Sequence, residues 1–563
     1  MKLCRVFSVL LFLLISSGLF AVPGGSTASG FWIPESGEAD VDSLISKMSD
    51  EQLLAQLLLF GYMGGSPSGE ILDWIRDKEI GGVKIFGWNV KDLPTLADSI
   101  AEMQKAAAVT SFGIPLFIAT DQEGGWVRHV RGETSETAGN LSLGASRRPS
   151  DAYNTGYYIG MELRALGINM NFAPTVDVYS NPEAHVIGPR AFSDDPKLTS
   201  VLASAYFKGM DKAGVVCTAK HFPGHGDADK DSHGALPVIQ ADMSTLWDRD
   251  LLPYRYLIKE GIPGIMVGHL AFPKITGDNT PASISSVIMT DVLREKMGYD
   301  ELIVTDDLMM NGVQLLSMTT AEICKASIMA GVDIVLVSRT FEIQKKVWNY
   351  LSSELKKDEA FLERVRESAE RIMRIKLEYL SGDQAVPLYP DSAELNTLIP
   401  AENSSEFFLD QALRSVTLIR EEGPGGIRPE GRTLLAGQLD RFFHEGKKVF
   451  PNAETFDFNY SPFYSSSSSV RKKLKSMADD YDTIVFCLAN PNSEQVLKEL
   501  KNTKAKVIVL SVLTPIYLKE MDWVKNAVAV YGTSRESLMA GFAALSGRIS
   551  PSGILPLDFA GDD

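Results

Sequence analysis

Residues 220–237 read Lys-His-Phe-Pro-Gly-His-Gly-Asp-Ala-Asp-Lys-Asp-Ser-His-Gly-Ala-Leu-Pro. They hold three of the chain's seven histidines, His221, His225 and His233, and three aspartates, Asp227, Asp229 and Asp231. Pro223, Gly224 and Gly226 argue against regular structure beyond Phe222. A loop so dense in titratable side chains either binds a metal or moves protons. Asp227, Asp229 and Asp231 have the alternate spacing that opens a calcium loop. Ser232, however, stands where the sixth residue must be Gly, and Val238 where the twelfth must be Glu. His221 and His225 are spaced like a helical zinc pair, but Pro223 and Gly224 between them deny the helix. The pattern assigns no metal ligand.

Proton transfer fits these residues better. Asp231 and His233 are one residue apart, so both side chains can face one cleft from a loop. A carboxylate beside an imidazole fixes its tautomer and raises its pKa, which makes a general acid near neutral pH. An Asp-x-His pair on its own is equally the mark of an ordinary surface loop, so the pair needs a nucleophile as partner. Asp306 ends the apolar run of residues 302–305, and a carboxylate fixed at a strand end can attack an electrophilic carbon to form an ester. Asp307 competes for that role and is equally suited to capping the next segment. The chain has no Gly-x-Ser-x-Gly elbow, and the glycines of residues 124–132 do not form a phosphate cradle.

These side chains need a frame. Between residues 40 and 380, strand-like runs at 82–86, 115–120, 169–173, 215–219, 264–267, 302–305 and 333–337 alternate with helical patterns such as 291–296 and 320–330. Strand–helix alternation means a parallel sheet, and about eight such units predict an N-terminal (β/α)8 TIM-like barrel over residues 35–382. Asp121, Asp177, Lys220, His221, His269, Asp306 and Asp307 all follow strand-like runs, and strand ends form the chemical face of such a barrel. Residues 383–410, which follow Ser381-Gly382 and are broken by Pro387, Pro390 and Pro400, read as a linker. Strand-like runs at 416–419, 433–435, 483–488, 507–512 and 528–531 then predict a smaller α/β domain on an open sheet, an αβα sandwich over 411–563. The serine-rich residues 464–469 read as a solvated loop. One histidine, His444, falls in this second domain, so the chemistry belongs to the first.

The bulk numbers narrow the classes. A chain of 563 residues with 45% hydrophobic side chains has ample core for two domains. A net charge of −17 without a basic cluster excludes nucleic acid as the natural partner. Lys2 and Arg5, the apolar residues 6–20 and the Ala21-Val22-Pro23 step have the form of a secretory signal peptide over residues 1–21. The expectation is an exported protein, periplasmic or extracellular. No other apolar run is long enough for a stable membrane span. Cys217, Cys324 and Cys487 are far apart and odd in number, which gives no disulfide framework.

The run Lys220-His221-Phe222-Pro223-Gly224-His225-Gly226, followed by Asp231-Ser232-His233, resembles glycoside hydrolase family 3, specifically its β-N-acetylglucosaminidase branch. So do Asp121-Gln122-Glu123-Gly124-Gly125, Asn171-Phe172-Ala173-Pro174 with Asp177, residues 188–196 around Arg190, Pro281-Ala282-Ser283-Ile284-Ser285, and Val304-Thr305-Asp306-Asp307-Leu308. The likeness is strong over residues 45–380 and weaker beyond, at Val416-Thr417-Leu418 and Gly553-Ile554-Leu555-Pro556.

The resemblance implies a retaining exo-β-N-acetylglucosaminidase that needs no cofactor and acts on terminal β-linked N-acetylglucosamine of peptidoglycan fragments or chitooligosaccharides. It implies Asp306 as nucleophile, His233 as general acid/base and Asp231 as its orienting partner. It implies Asp121, Arg190, Lys220 and His221 as groups that hold the sugar. Trp126 and His129 stand where the family shows two arginines. The second position binds sugar, so His129 takes that task or cedes it to Arg128 or Arg131. A β-glucosidase-type exo-enzyme, an N-acetylglucosaminide phosphorylase and a carbohydrate-binding protein without activity are the alternatives.

Overall fold

The computed structural model describes residues 41–228, 234–314, 317–338, 340–459 and 467–559. The signal-peptide reading of residues 1–21 and the pair Asp231 and His233 lie outside the described residues.

Eight strands form the main sheet of the first domain: β1 Leu58–Gly61, β2 Gly82–Lys84, β3 Phe117–Thr120, β4 Met170–Asn171, β5 Val216–Phe222, β6 Gly264–Val267, β7 Leu302–Thr305 and β8 Val335–Val337. They pair in the order β8-β1-β2-β3-β4-β5-β6-β7, every pair parallel. A parallel bridge between Val304 and Ile334, with the Thr305 N–H donating to the Ile334 carbonyl at 3.0 Å, joins β7 to the entry of β8 and closes the ring. Every residue of β1, β3, β6 and β7 is buried, as expected where helices cover the outer face of a parallel sheet. The helices begin on local signals. Asp92 caps Leu93–Ala108, Asp195 caps Pro196–Lys212, and Thr319 with Glu322 forms a capping box on Thr320–Ala330. The barrel lay in the sequence as expected, with β1 added to the seven strand-like runs.

The second domain carries β9 Thr417–Arg420, β10 Thr433–Gly437, β11 Glu454–Asp457, β12 Thr483–Leu488, β13 Lys506–Ser511 and β14 Asn526–Ala529. Their order is β9-β14-β13-β12-β10-β11, with β9 antiparallel and the others parallel. Alternate residues feed two cores. Leu435, Val485 and Leu510 face Phe442 and Phe542, whereas Leu434, Phe486 and Val509 face Leu474 and Val496. Helices Asp440–Val449 and Arg535–Leu545 cover one face, and Ser468–Met477 and Pro491–Leu497 the other, which makes an αβα sandwich. Ser467 caps Ser468–Met477, so part of the serine tract read as a loop starts a helix instead.

The connector packs on the barrel helix Pro149–Ala165. The Arg164 guanidinium donates to the Gln384 carbonyl at 2.6 Å, and the Ala401 N–H to Glu162 at 3.1 Å. Helix Ser404–Ser415 takes in the last residues of the 383–410 linker reading, because Phe408 and Ala412 have apolar partners to bury against. A separate apolar cluster crosses between the domains, with Tyr179, Ile187 and Ala191 against Ile516, Tyr531 and Leu557. Among the described residues no helix is long and apolar enough to cross a membrane. Cys217, Cys324 and Cys487 are buried and form no disulfide.

Candidate active site

The C-terminal ends of the barrel strands open onto one cavity of about 590 Å³. Asp121 follows β3 at its floor. One carboxylate oxygen takes the Lys84 ammonium, from the end of β2, at 2.5 Å, and the other takes the Lys220 ammonium of β5. Lys220 also meets Glu123 at 2.6 Å. Glu123 is gripped in bidentate fashion by Arg190, Nε at 2.9 Å and Nη2 at 2.7 Å. Such paired contacts fix a guanidinium plane as well as neutralising charge. Burial pushes the Glu123 carboxyl up, but Arg190 and Lys220 outweigh it and hold the group at about 2. The same contest leaves Asp121 well below the usual carboxylate range, with Lys220 and Lys84 prevailing over burial. Burial lowers Lys220, but Asp121 and Glu123 raise it above its ordinary value.

His221 is oriented from both sides. Its Nδ1 donates to Asp177 at 2.8 Å, which leaves Nε2 to accept from Arg190 Nη2 at 3.1 Å. Asp177, just past β4, also accepts the backbone N–H groups of His221 at 3.2 Å and His225 at 2.7 Å. Both ring nitrogens of His221 are thereby engaged, which fixes the plane of the imidazole. Burial acts to raise Asp177, yet the contacts with His221 and His225 bring it below its ordinary value.

Asp306 follows β7 and faces the cavity. Its Oδ1 accepts the Asp307 N–H at 2.8 Å. Its second oxygen accepts no hydrogen bond among the described residues. Asp307 differs: its Oδ1 accepts the N–H groups of Met309 at 3.0 Å and Ser338 at 3.2 Å, which makes it the cap of the following turn. Burial raises both carboxyls. For Asp306 this is overcome by His221, His269 and Lys220, so the group lies below its ordinary value, whereas Asp307 stays above its own. His269, fully buried after β6, accepts from the Ser283 hydroxyl at 2.8 Å and donates to the Asp307 carbonyl at 3.0 Å. It fixes the backbone that carries both aspartates.

A family description, glycosyl hydrolase family 3 N-terminal domain, matches residues 49–375, a stretch that takes in all eight barrel strands. The chain belongs to glycosyl hydrolase family 3. A β-hexosaminidase A of Pseudoalteromonas piscicida is 32% identical over 432 residues, 70% of this chain and 71% of that one. A β-hexosaminidase of Xylella fastidiosa (strain M23) is 33% identical over 287 residues, 50% of this chain and 83% of that one. The solved structure of a family 3 β-N-acetylglucosaminidase from Paenibacillus sp. str. FPU-7 superposes with a TM-score of 0.82 at 27% identity, covering 91% of this chain and 99% of that one.

Against this family background, the floor brings together Asp121, Arg190, Lys220, His221, His129 and Asp306. It also contains Lys84, which the sequence reading did not select, and gives positions to Glu123, Asp177 and His269, which that reading quoted without roles. Lys84 is a cation inside an apolar strand and only 1% exposed, which is the signal that could have found it. It lies beside one of the two positions at which the family shows an arginine. Arg128 points away, to the carbonyls of Thr134 and Ser135 and to Glu136, and Arg131 donates to the Arg128 carbonyl. Neither reaches the floor. Lys84 stands beside His129 instead, with Nζ 3.4 Å from His129 Nδ1. Burial first, then the charge of Lys84, holds His129 at about 4, so its ring is neutral at neutral pH and accepts from the ammonium.

Proposed function

We propose that the protein is an exported, retaining exo-β-N-acetylglucosaminidase. It removes terminal β-linked N-acetylglucosamine from peptidoglycan fragments or chitooligosaccharides. The observation that carries the reading is the contrast between the adjacent carboxylates that line the cavity: Asp307 takes two N–H groups of the following turn and burial keeps its carboxyl above its ordinary value, whereas Asp306 takes one and His221, His269 and Lys220 hold it ionised.

The chemistry runs in two displacements. Asp306 attacks the anomeric carbon as the glycosidic bond breaks, giving a covalent glycosyl ester of inverted configuration. His233, oriented by Asp231, gives its proton to the departing oxygen. The same imidazole, now neutral, takes a proton from water, which attacks the anomeric carbon and releases Asp306 with a second inversion. The depressed pKa of Asp306 keeps the nucleophile ionised well into the acid range. Asp121, Glu123, Lys220, Arg190 and His221 form a fixed set of donors and acceptors suited to the hydroxyl groups of one pyranose ring, and Lys84 with His129 extends it. Their mutual pairing costs little rearrangement when the sugar binds.

The test is hydrolysis of an aryl N-acetyl-β-glucosaminide beside the matching aryl β-glucoside. Turnover of the glucosaminide is expected. Turnover of the glucoside alone would make the protein a β-glucosidase-type enzyme, and sugar 1-phosphate in phosphate buffer would make it a phosphorylase. In Asp306→Ala, activity should fall at least about a thousandfold, as for other covalent nucleophiles. Azide should then restore turnover and give the α-glycosyl azide. A β-azide, or loss of activity in Asp307→Asn alone, would remove Asp306 from the nucleophile role.

A further inference from the structure

Residues 84, 86 and 88 line the cavity in order of depth. Lys84 is 1% exposed at the floor, Phe86 is half-buried above it, and Trp88 is 47% exposed at the rim. The Lys84 ammonium lies 4.8 Å from the Phe86 ring centre. Phe86 and Trp88 stack with centroids 4.3 Å apart and planes 7° from parallel. An exposed tryptophan commonly swings through several rotamers, but this one is held. Its Nε1 donates to the Tyr62 carbonyl at 3.0 Å. The fully buried Asn89 donates to the same carbonyl at 3.1 Å and to the Gly64 carbonyl at 2.7 Å, and accepts the Phe86 N–H at 2.9 Å. The turn Gly87–Asn89 is thereby tied to the segment after β1, and the indole is oriented before any ligand arrives.

One face of that indole lies on Phe86 and its Nε1 edge on Tyr62, while about half of the side chain stays open to solvent at the cavity mouth. Keeping a large apolar surface wet and immobile is unfavourable unless something covers it in the working state. The charged floor suits the hydroxyl-rich ring that is cleaved. The group beyond the scissile bond then lies toward the rim of a cavity whose lining also includes Val127, Val186 and Met309. A pyranose has one face of C–H groups that packs on an aromatic plane, whereas its hydroxyls point outward at the edge to water.

We propose that Trp88 is the platform of a leaving-group subsite and that the group it takes is a second pyranose ring. This rests on the floor being the site of the cleaved sugar. It makes the protein selective for saccharides over substrates with small leaving groups, and it assigns that selectivity to a residue outside the charged cluster.

Two substrates separate the subsites. A β-linked N-acetylglucosamine disaccharide needs both. β-N-Acetylglucosaminyl fluoride has no ring beyond the bond and needs only the floor and the nucleophile. The ratio of kcat/KM for disaccharide over fluoride should fall about tenfold in Trp88→Ala, the scale of one lost aromatic contact. It should recover most of its value in Trp88→Phe, which keeps a stacking ring without the Nε1 hydrogen bond. A ratio unchanged in Trp88→Ala, or lowered equally in Trp88→Phe, would overturn the platform. Wild-type protein inert toward both substrates would overturn the glycosidase reading beneath it, a result that no ratio can mimic.

Discussion

Lys84 shows how one side chain sets the electrostatics of a whole floor. Four carboxylates, Asp121, Glu123, Asp177 and Asp306, face three fixed cations, Lys84, Lys220 and Arg190. Lys84 also lies over the rings of Phe86 and Phe172, with centroids at 4.8 and 5.0 Å, so its desolvation is partly offset by two aromatic faces. Burial still dominates and holds its pKa below the ordinary value. In Lys84→Met, Asp121 keeps Lys220 alone, and kcat/KM should fall about tenfold, the scale of a lost charged hydrogen bond. A more specific sign comes from His129. Removing a neighbouring positive charge favours the imidazolium, so its pKa should rise from about 4 toward 6.5. Titration of the ring carbon by NMR reads this directly, and an unmoved value would mean that burial alone sets it. Linkage gives the matching stability effect. In the wild type the unfolded state binds this proton before the folded state does. Stability is therefore lost as pH falls from 6.5 to 4, and the variant should lose less over that window.

The exit of β5 is where an element, rather than a residue, carries the chemistry. Pro223 to Ala228 leads toward Asp231 and His233, and it is tightly seated: a Cβ on Gly226 would meet the Val178 carbonyl oxygen at 1.7 Å, and one on Gly224 the Asp250 Cβ at 2.7 Å. Arg249 ties the segment down, donating to Asp227 at 2.9 Å and to Asp250 at 3.0 Å. Burial pushes Asp250 up to about 7 against the pull of Arg249, helped by the charges of Asp227 and Asp177, and its Oδ1 is buried without a hydrogen-bond partner among the described residues. The folded state thus holds a proton that the unfolded state releases near 3.8, and this stabilising contribution is lost as pH rises through 7. Asp250→Asn should come closest to the wild type near pH 4 and gain on it steadily up to pH 7, by on the order of 4 kcal/mol at pH 8, read from denaturant melts at pH 4 and pH 8. A constant difference would place the ionisation elsewhere. Elements such as β5 were legible because a parallel strand buried on both faces reads as an apolar run. Strand β1 was harder, since Leu53 to Phe60 is apolar but for Gln56 and continues helix Asp50–Gln56 without a break. Strand β11 was hidden for the opposite reason: it is an edge strand whose Glu454, Thr455 and Asp457 are exposed. At the site, polar strand ends were visible one by one. Their pairing was not, because Asp177 and His221 are 44 residues apart, and only the closed barrel makes β4 and β5 neighbours.

At the scale of the molecule, the second domain supplies no side chain to the floor among the described residues, yet holds the segment that does. Arg190 lies on a stretch whose Ile187 and Ala191 pack with Leu557 and Tyr531 in the cluster between the domains. The chain end reinforces this. The Ser193 hydroxyl donates to the Pro556 carbonyl at 2.6 Å, the Ile554 N–H to the Ala145 carbonyl at 2.9 Å, and the Asp558 N–H to the Asp194 carboxylate. On the other flank Glu136 is shared between Arg128, on a short strand of residues Val127–Arg128 paired with Gln122–Gly124, and Arg441 of helix Asp440–Val449. The αβα domain is therefore a brace for Arg190, and through Arg190 for Glu123 and His221. Leu557→Asp puts a charge into the apolar cluster and should free the 187–194 stretch, lowering kcat/KM by as much as about a hundredfold, the penalty for misplacing a binding group by roughly an ångström. Ser193→Ala removes one latch without disturbing the cluster and should cause a smaller loss of the same kind, with a melting temperature close to that of the wild type. Full activity in both variants would mean that the barrel positions Arg190 unaided. A loss that appears in Leu557→Asp only as unfolding, with Ser193→Ala indistinguishable from the wild type, would reduce the second domain to a stabilising mass.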